Sequence, residues 1–413
     1  MRKFLYALVL LLIVGAVGFF TLGPGMIEKS MNKVDGKPLP KVSAEAIALH
    51  KTLTIVDLHS DTLMWKRDLT ERATRGHVDF ERLAEGNVAI QLFSSVTKTP
   101  KGQNYDSNGD DTDNITLLTI AQLQPIKTWN SLLERSLFHA EKLKQAALKI
   151  QNRYQDNGYE PGWNVISTSK DLVWVADHSQ NIAPHEGIRG ALLTIEGLQN
   201  LEGKAENLDK LYKAGFRMAG LTHFFDNELA GSMHGLKKGG LTPFGRDIIQ
   251  RMETKGMIVD IAHCSRQCVT EILAMARRPV VSSHGGVQAT CKVNRNLSDE
   301  HIRGVAATGG IIGIGYWDAA VCDTSPKAIA AAMKHVRDLV GIQHVALGSD
   351  YDGATTVRFD TSKLVQVTQA LLDAGFTPDE IRAAMGGNAV RVLRDGLQPM
   401  AASASTVIAK PGR

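Results

Sequence analysis

Seven ionisable residues stand at the ends of short apolar runs in this chain: His59 and Asp61, Glu196, His223, His263, His284 and Asp350. His59 and Asp61 are two apart, so on a regular strand both side chains point to one side and can hold one cation through nitrogen and oxygen. Histidine with carboxylate, and no thiolate motif, suits zinc or another borderline divalent ion better than calcium or an iron–sulfur cluster. A carboxylate such as Glu196 can bridge two ions, one oxygen to each, and a water shared by two such ions loses its proton near neutral pH. Taken singly, each residue has a structural reading: most strand-end histidines are hydrogen-bonded framework, and Glu196 could cap a following helix. Gathered on one rim, so many desolvated charges of mixed sign are costly to bury unless paired or bound to metal.

The elements that must position them are eight runs: Thr54–Asp61, Val88–Val96, Gly190–Gly197, Phe216–His223, Met257–His263, Pro279–Gly285, Gly310–Tyr316 and His344–Asp350. Continuous Val/Ile/Leu-rich stretches of this length fit parallel strands buried on both faces. Segments between them, such as Gly245–Gly256 and Ser325–Gly341, carry helical spacing and end near glycine. The alternation predicts an α/β fold, a (β/α)8 TIM-type barrel with all strand ends meeting at its C-terminal mouth, and the ligand-type residues at those ends would make it metal-dependent hydrolase-like. A doubly wound sheet is the competitor, but His59-Ser60-Asp61-Thr62 stands where its glycine-rich nucleotide turn belongs.

An insertion of about 90 residues, 97–189, separates the second and third runs; Leu117–Asn152 within it has helix-forming composition. Its acidic front, Asn104–Asn114, superficially suggests a calcium loop. Asp111 occupies the place of the turn glycine and Leu117 that of the bidentate glutamate, so a solvated loop on the active-site rim is expected instead.

The chain has 413 residues, 47 basic against 43 acidic, with 43% hydrophobic and 22% charged residues. That composition excludes a disordered or collagenous protein, and a net charge of +4 without charge runs argues against nucleic acid as a partner. Cys264, Cys268, Cys291 and Cys322 lack the spacing of a zinc knuckle and read as buried thiols, with a disulfide open to them on export. After Arg2 and Lys3, the uncharged stretch Phe4–Leu22 would span about 28 Å as a helix, enough for a bilayer core. The expected layout is an anchor or signal segment over 1–25, a linker over 26–45, the catalytic barrel over 46–398 and a tail over 399–413. An uncleaved anchor places the barrel on the periplasmic or exterior face of the inner membrane; secretion after cleavage is the alternative.

Together these residues resemble the membrane, or renal, dipeptidase family. The resemblance rests on Asp57-Leu58-His59-Ser60-Asp61, Glu196-Gly197, Leu221-Thr222-His223, Asp260–Ser265, Ser282-Ser283-His284, Arg295-Asn296, Gly348–Gly353 and Met385–Asn388, in order over roughly residues 50–395. It implies two zinc ions, His59 and Asp61 on one, His263 and His284 on the other, with Glu196 bridging. It further implies that His223 binds and polarises the scissile carbonyl, that Arg295 holds the substrate carboxylate and that Asp350 handles protons. Without the resemblance Arg295 reads equally well as a surface salt bridge. Tyr316, closing the seventh run, either lines the pocket or packs at the barrel end. The stretch Thr222–Leu229 lacks the cysteine of animal members and is similar to bacterial ones, and no hydrophobic C-terminal tail offers the lipid anchor of animal members.

The expected activity is zinc-dependent hydrolysis of dipeptides. The alternatives are another amidohydrolase on the same centre, a deacylase or lactamase, and an inactive anchored binding protein. A homodimer is admitted, not required, by the sequence.

Overall fold

A computed structural model describes residues 1–156, 162–179 and 188–400. Eight parallel strands form a closed barrel: β1 Ile55–Ser60, β2 Val88–Val96, β3 Arg189–Glu196, β4 Phe216–Gly220, β5 Ile258–Asp260, β6 Val281–Ser282, β7 Ile311–Ile314 and β8 Val345–Leu347. Each pairs with its neighbours in chain order, and Leu347 opposite Asp57 closes the ring between β8 and β1. All eight expected runs are strands. The regular ladders are shorter than the runs, because the last residues of most runs leave the sheet to form the mouth.

Helices surround the barrel, among them Pro243–Lys255 and Pro326–Val340 in the expected places. Each begins with a hydroxyl cap and a proline at the first helical position: Thr242 Oγ1 accepts from Gly245 N at 3.0 Å, and Ser325 Oγ from Ala328 N at 3.2 Å. Such caps satisfy backbone donors that the helix cannot. One buried cluster joins strand residues such as Val56, Leu58, Ile90 and Leu192 to Val392 and Leu393 of the last helix, Asn388–Gly396. A larger one lies between the strands and the other helices.

The insertion contains the expected helices, Asn114–Ala121, Lys127–Asn130 and Leu132–Asp156, and also a short strand, Trp163–Ile166. That strand pairs with Arg189–Leu192 on the edge of β3 that β4 uses only from Leu193 onward, and so fills the sheet below β4.

The segment expected as a linker packs on the barrel. Glu28, on the helix Gly23–Met31, is buried and ion-paired with Arg67 and with Arg75, the latter at 2.6 Å. Asn32 Oδ1 accepts from Ala354 N at 2.9 Å, Lys33 and Val34 pair in parallel with Thr356 and Val357, and Asp35 meets Arg358 at 2.8 Å. Partners more than 300 residues away give Asn32 and Asp35 no local sequence signature. Ahead of them Arg2–Thr21 forms one exposed helix, long and apolar enough to cross a membrane.

Candidate functional site

Each sequence-predicted ligand reaches the mouth from a strand end. His59 lies on β1 and Asp61 follows it; the register of β1 shifts between Asp57 and Ser60, which takes this turn out of the regular alternation. Glu196 is the last residue of β3. His223, His263, His284 and Asp350 lie in the loops just beyond β4, β5, β6 and β8. His263 and Asp350 both have left-handed backbones, with φ of 65° and 59°. Histidine and aspartate tolerate that region better than most residues, and such strain concentrates at functional turns.

Glu196 is the centre of the cluster. Its Oε1 lies 2.7 Å from His263 Nε2, 3.2 Å from His284 Nε2 and 3.6 Å from His223 Nε2, while Oε2 lies 3.5 Å from His59 Nε2. His59 Nε2 is in turn 3.4 Å from Asp61 Oδ1 and 3.9 Å from Asp350 Oδ1. Three overlapping triples, His59/Glu196/His284, Glu196/His223/His263 and His59/Asp61/Asp350, each hold their donor atoms within 4.8 Å of one another. Every member is buried, yet His59 Nε2, Asp61 Oδ1 and Glu196 Oε2 have no hydrogen-bond partner among the described residues. Buried donor atoms left unpartnered around a common point fit a bound cation.

Charge in the cluster is unevenly held. Burial alone would raise the Glu196 carboxyl, but His223, His59 and His263 outweigh it and keep the group well below the usual carboxylate range. Burial, aided by the nearby Asp61 and Glu196 charges, drives Asp350 well above that range against the pull of His59. Burial pushes the His263 and His284 imidazoles well down, toward the neutral form that binds metals. The two carboxyls are thus driven in opposite directions, Glu196 down and Asp350 up.

A second layer of hydrogen bonds fixes the side chains of the cluster. Ser283 Oγ lies 2.5 Å from Asp260 Oδ2 and 2.8 Å from His284 Nδ1. With its one proton given to the Asp260 carboxylate, Ser283 accepts from Nδ1–H, which leaves His284 Nε2 bare and facing Glu196. Asp57 Oδ1 accepts from Ser349 N at 2.9 Å and so ties β1 to the turn that carries Asp350. At Gly353 any Cβ would collide with the Asp350 carboxylate and crowd Asp61, so only glycine lets the backbone pass there.

The cluster forms the floor of a cavity of about 550 Å³ lined by Asp61, Glu196, His223, His263, Arg295 and Asp350. Arg295 is buried and donates to His284 O at 2.9 Å, with its guanidinium 5.8 Å from the Trp317 ring; it makes no ion pair among the described residues. The salt-bridge reading therefore does not hold for it. Tyr316 is not a cavity residue: its ring is fully buried between Tyr351 and Phe359, and the next residue, Trp317, lines the cavity instead. The ladder of β7 stops at Ile314, so strand alternation no longer governs where Tyr316 points.

The acidic loop lies on the rim as expected, and three residues the sequence did not single out shape the wall there: Tyr105 lines it, while His234 and Arg135 support it. Tyr105, from the acidic loop, enters the cavity and accepts from Trp317 Nε1 at 3.1 Å. His234 supports it from behind through Nδ1 and Tyr105 O at 2.8 Å, stacked on Phe224. Burial, with Arg295 adding to it, pushes the His234 imidazole down to about 3. The loop is held by Arg135, fully buried, which donates to Thr97 O and Asp113 Oδ2, each at 2.6 Å. An aromatic residue inside a polar loop was the one available signal for Tyr105. Cys291 and Cys322 form a disulfide that ties the Arg295 loop to the segment after Trp317, while Cys264 and Cys268 are buried thiols as expected.

This chain is similar to known proteins in sequence and in fold. Dipeptidase aclJ of Aspergillus oryzae is 29% identical over 380 residues, which is 87% of this chain and 81% of that protein. The probable dipeptidase PvdM from Pseudomonas aeruginosa superimposes with a TM-score of 0.69 at 18% identity, over 86% of this chain and 98% of its own. A metallo peptidase from Rhodobacter sphaeroides, liganded with a phosphinate mimic of the dipeptide L-Ala-D-Ala, gives 0.64 at 18% identity over 84% and 99%. Residues 43–405 match the family described as membrane dipeptidase, peptidase family M19, and the chain belongs to that family of metallodipeptidases.

Proposed function

We propose that the protein is a zinc-dependent dipeptidase with a two-metal centre: His59, Asp61 and Glu196 hold one ion, and Glu196, His263 and His284 the other. The observation that carries this reading is that three donor triples are linked into one cluster, two through Glu196 and two through His59, with Glu196 Oε1 against His263 and His284 and Oε2 against His59. His223 also lies near Glu196, but at 3.6 Å it is farther from Oε1 than His263 at 2.7 Å and His284 at 3.2 Å, and His284 has in addition the Ser283–Asp260 relay typical of a metal-bound imidazole. That difference supports His284 as the ligand and leaves His223 to the substrate.

When bound, the two ions would supply an acidified water and polarise the scissile carbonyl. The chain's own groups do the rest. Arg295 presents a buried guanidinium with no ion pair among the described residues, whose planar fork matches a terminal carboxylate and favours short peptides over proteins. His223 donates toward the carbonyl oxygen as negative charge develops there. Asp350, kept protonatable by burial and by neighbouring carboxylates, passes a proton to the leaving amine.

The apolar helix Arg2–Thr21, preceded in charge by Arg2 and Lys3 alone, supports an inner-membrane anchor with the barrel on the outer side. The Cys291–Cys322 disulfide is consistent with an oxidising compartment.

Protein purified with its metal should contain about two zinc equivalents by mass spectrometry and hydrolyse dipeptides; chelation should remove activity and zinc should restore it. Faster turnover of N-acyl amino acids than of the matching dipeptides would turn the reading to a deacylase. Arg295→Met should raise KM by about 10- to 100-fold with a smaller change in kcat, because it removes a charge-assisted contact made in both ground and transition states. Steady-state kinetics on a dipeptide and on its C-terminal amide check this: the variant should lose the discrimination between them.

A further inference from the structure

The cavity is larger than two small residues need, and one side of it is apolar. Its volume of about 550 Å³ lies in the range that encloses a drug-sized molecule. Met64, Trp65, Val96, Ile115 and Leu118 form a buried hydrophobic cluster separate from both barrel cores, and all five line this cavity. Ile27 and Met31, each 43% exposed, extend the same apolar lining from the N-terminal segment.

Position in the barrel gives this wall a partner on the substrate. Met64 and Trp65 follow β1, Val96 ends β2, and Ile115 and Leu118 belong to the insertion after β2. Arg295 follows β6, and in the closed order of eight strands β2 and β6 are diametrically opposite. A dipeptide with its carboxylate on Arg295 and its scissile carbonyl over Glu196 therefore directs its amino-terminal residue toward the apolar wall. We infer that this wall is the subsite for the amino-terminal side chain, that the segment Gly23–Val34 is a fixed part of it, and that the enzyme prefers dipeptides whose first residue is large and apolar.

The segment is built to stay in place. Glu28 is paired with Arg67 and Arg75, Asn32 holds Ala354 N beside the Asp350 turn, and Lys33–Val34 is a strand against Thr356–Val357. Trp65 is fixed in the same way, through Nε1 donating to Asp352 O at 2.7 Å. Both sides of the wall are thus anchored to the loop that carries Asp350, which keeps the subsite in register with the reacting centre.

The inference rests on the dipeptidase reading. Its test is kcat/KM of the full-length, zinc-loaded protein for Gly-Ala, Ala-Ala, Leu-Ala and Phe-Ala. The value should rise by on the order of 10- to 100-fold from Gly-Ala to Phe-Ala. Met31→Asp, at a half-exposed position where folding is not at stake, should cut the Phe-Ala to Gly-Ala ratio by about 10-fold. A flat or falling series, or a Met31→Asp variant that keeps the parental ratio, overturns the subsite while the dipeptidase reading stands. No turnover of any of the four by metal-replete protein overturns both.

Discussion

Glu196→Gln should leave a folded protein with less than about a thousandth of the parental kcat/KM and with its metal content reduced from about two equivalents. Glutamine keeps the volume and one carbonyl oxygen, so the packing around β3 survives. What it removes is the charge that holds four imidazoles together. Glu196 Oε1 is within 3.2 Å of both His263 and His284 Nε2, and Oε2 faces His59, so one carboxylate serves both halves of the cluster. An amide can offer one oxygen to one cation; its NH2 group would point at the other. Metal analysis and kinetics on one preparation, with the melting temperature as a folding control, check the result. A Gln variant that keeps two equivalents of zinc and a tenth of the activity would rule out a bridging role.

Asp350→Asn should behave differently: kcat lower by about 10²- to 10⁴-fold, metal content unchanged, KM nearly unchanged. Asparagine is isosteric and tolerates positive φ, so the turn at φ 59° is not disturbed. The Asp350 backbone carbonyl still accepts from Thr355 Oγ1 at 2.9 Å. The variant loses only the capacity to take and give a proton, and burial with the charges of Asp61 and Glu196 had tuned that capacity by holding the carboxyl well above the ordinary range. The measurement separates two roles, because Asp350 also belongs to a donor triple with His59 and Asp61. Loss of one zinc equivalent in the Asn variant would make Asp350 a ligand rather than a proton carrier.

The two experiments divide the cluster along the line that its electrostatics suggest. In the proposed mechanism Glu196, whose carboxyl the surrounding imidazoles hold down, acts through charge, and Asp350, whose carboxyl burial pushes up, acts through a proton. Environments that drive two nearby carboxyls apart are the general means by which one site performs acid and base work at one pH.

The order of eight apolar runs, and the histidines and carboxylates at their ends, were determined by the sequence itself. Strands buried on both faces must read as continuous apolar stretches, and closure of a parallel barrel brings every strand end to one mouth, so position along the chain already implied the cluster around Glu196. Contacts between residues far apart in the chain were decided only by the tertiary structure. Tyr105 meets Trp317 across 212 positions, and Asn32 meets Ala354 across 322. The pairing of Cys291 with Cys322, the filler strand Trp163–Ile166 and the burial of Tyr316 also depend on which surfaces face each other once the barrel has closed. Periodicity records how a segment is buried, not what buries it, and for that reason the polar cluster at the strand ends could be read from the sequence while the cavity walls around it could not.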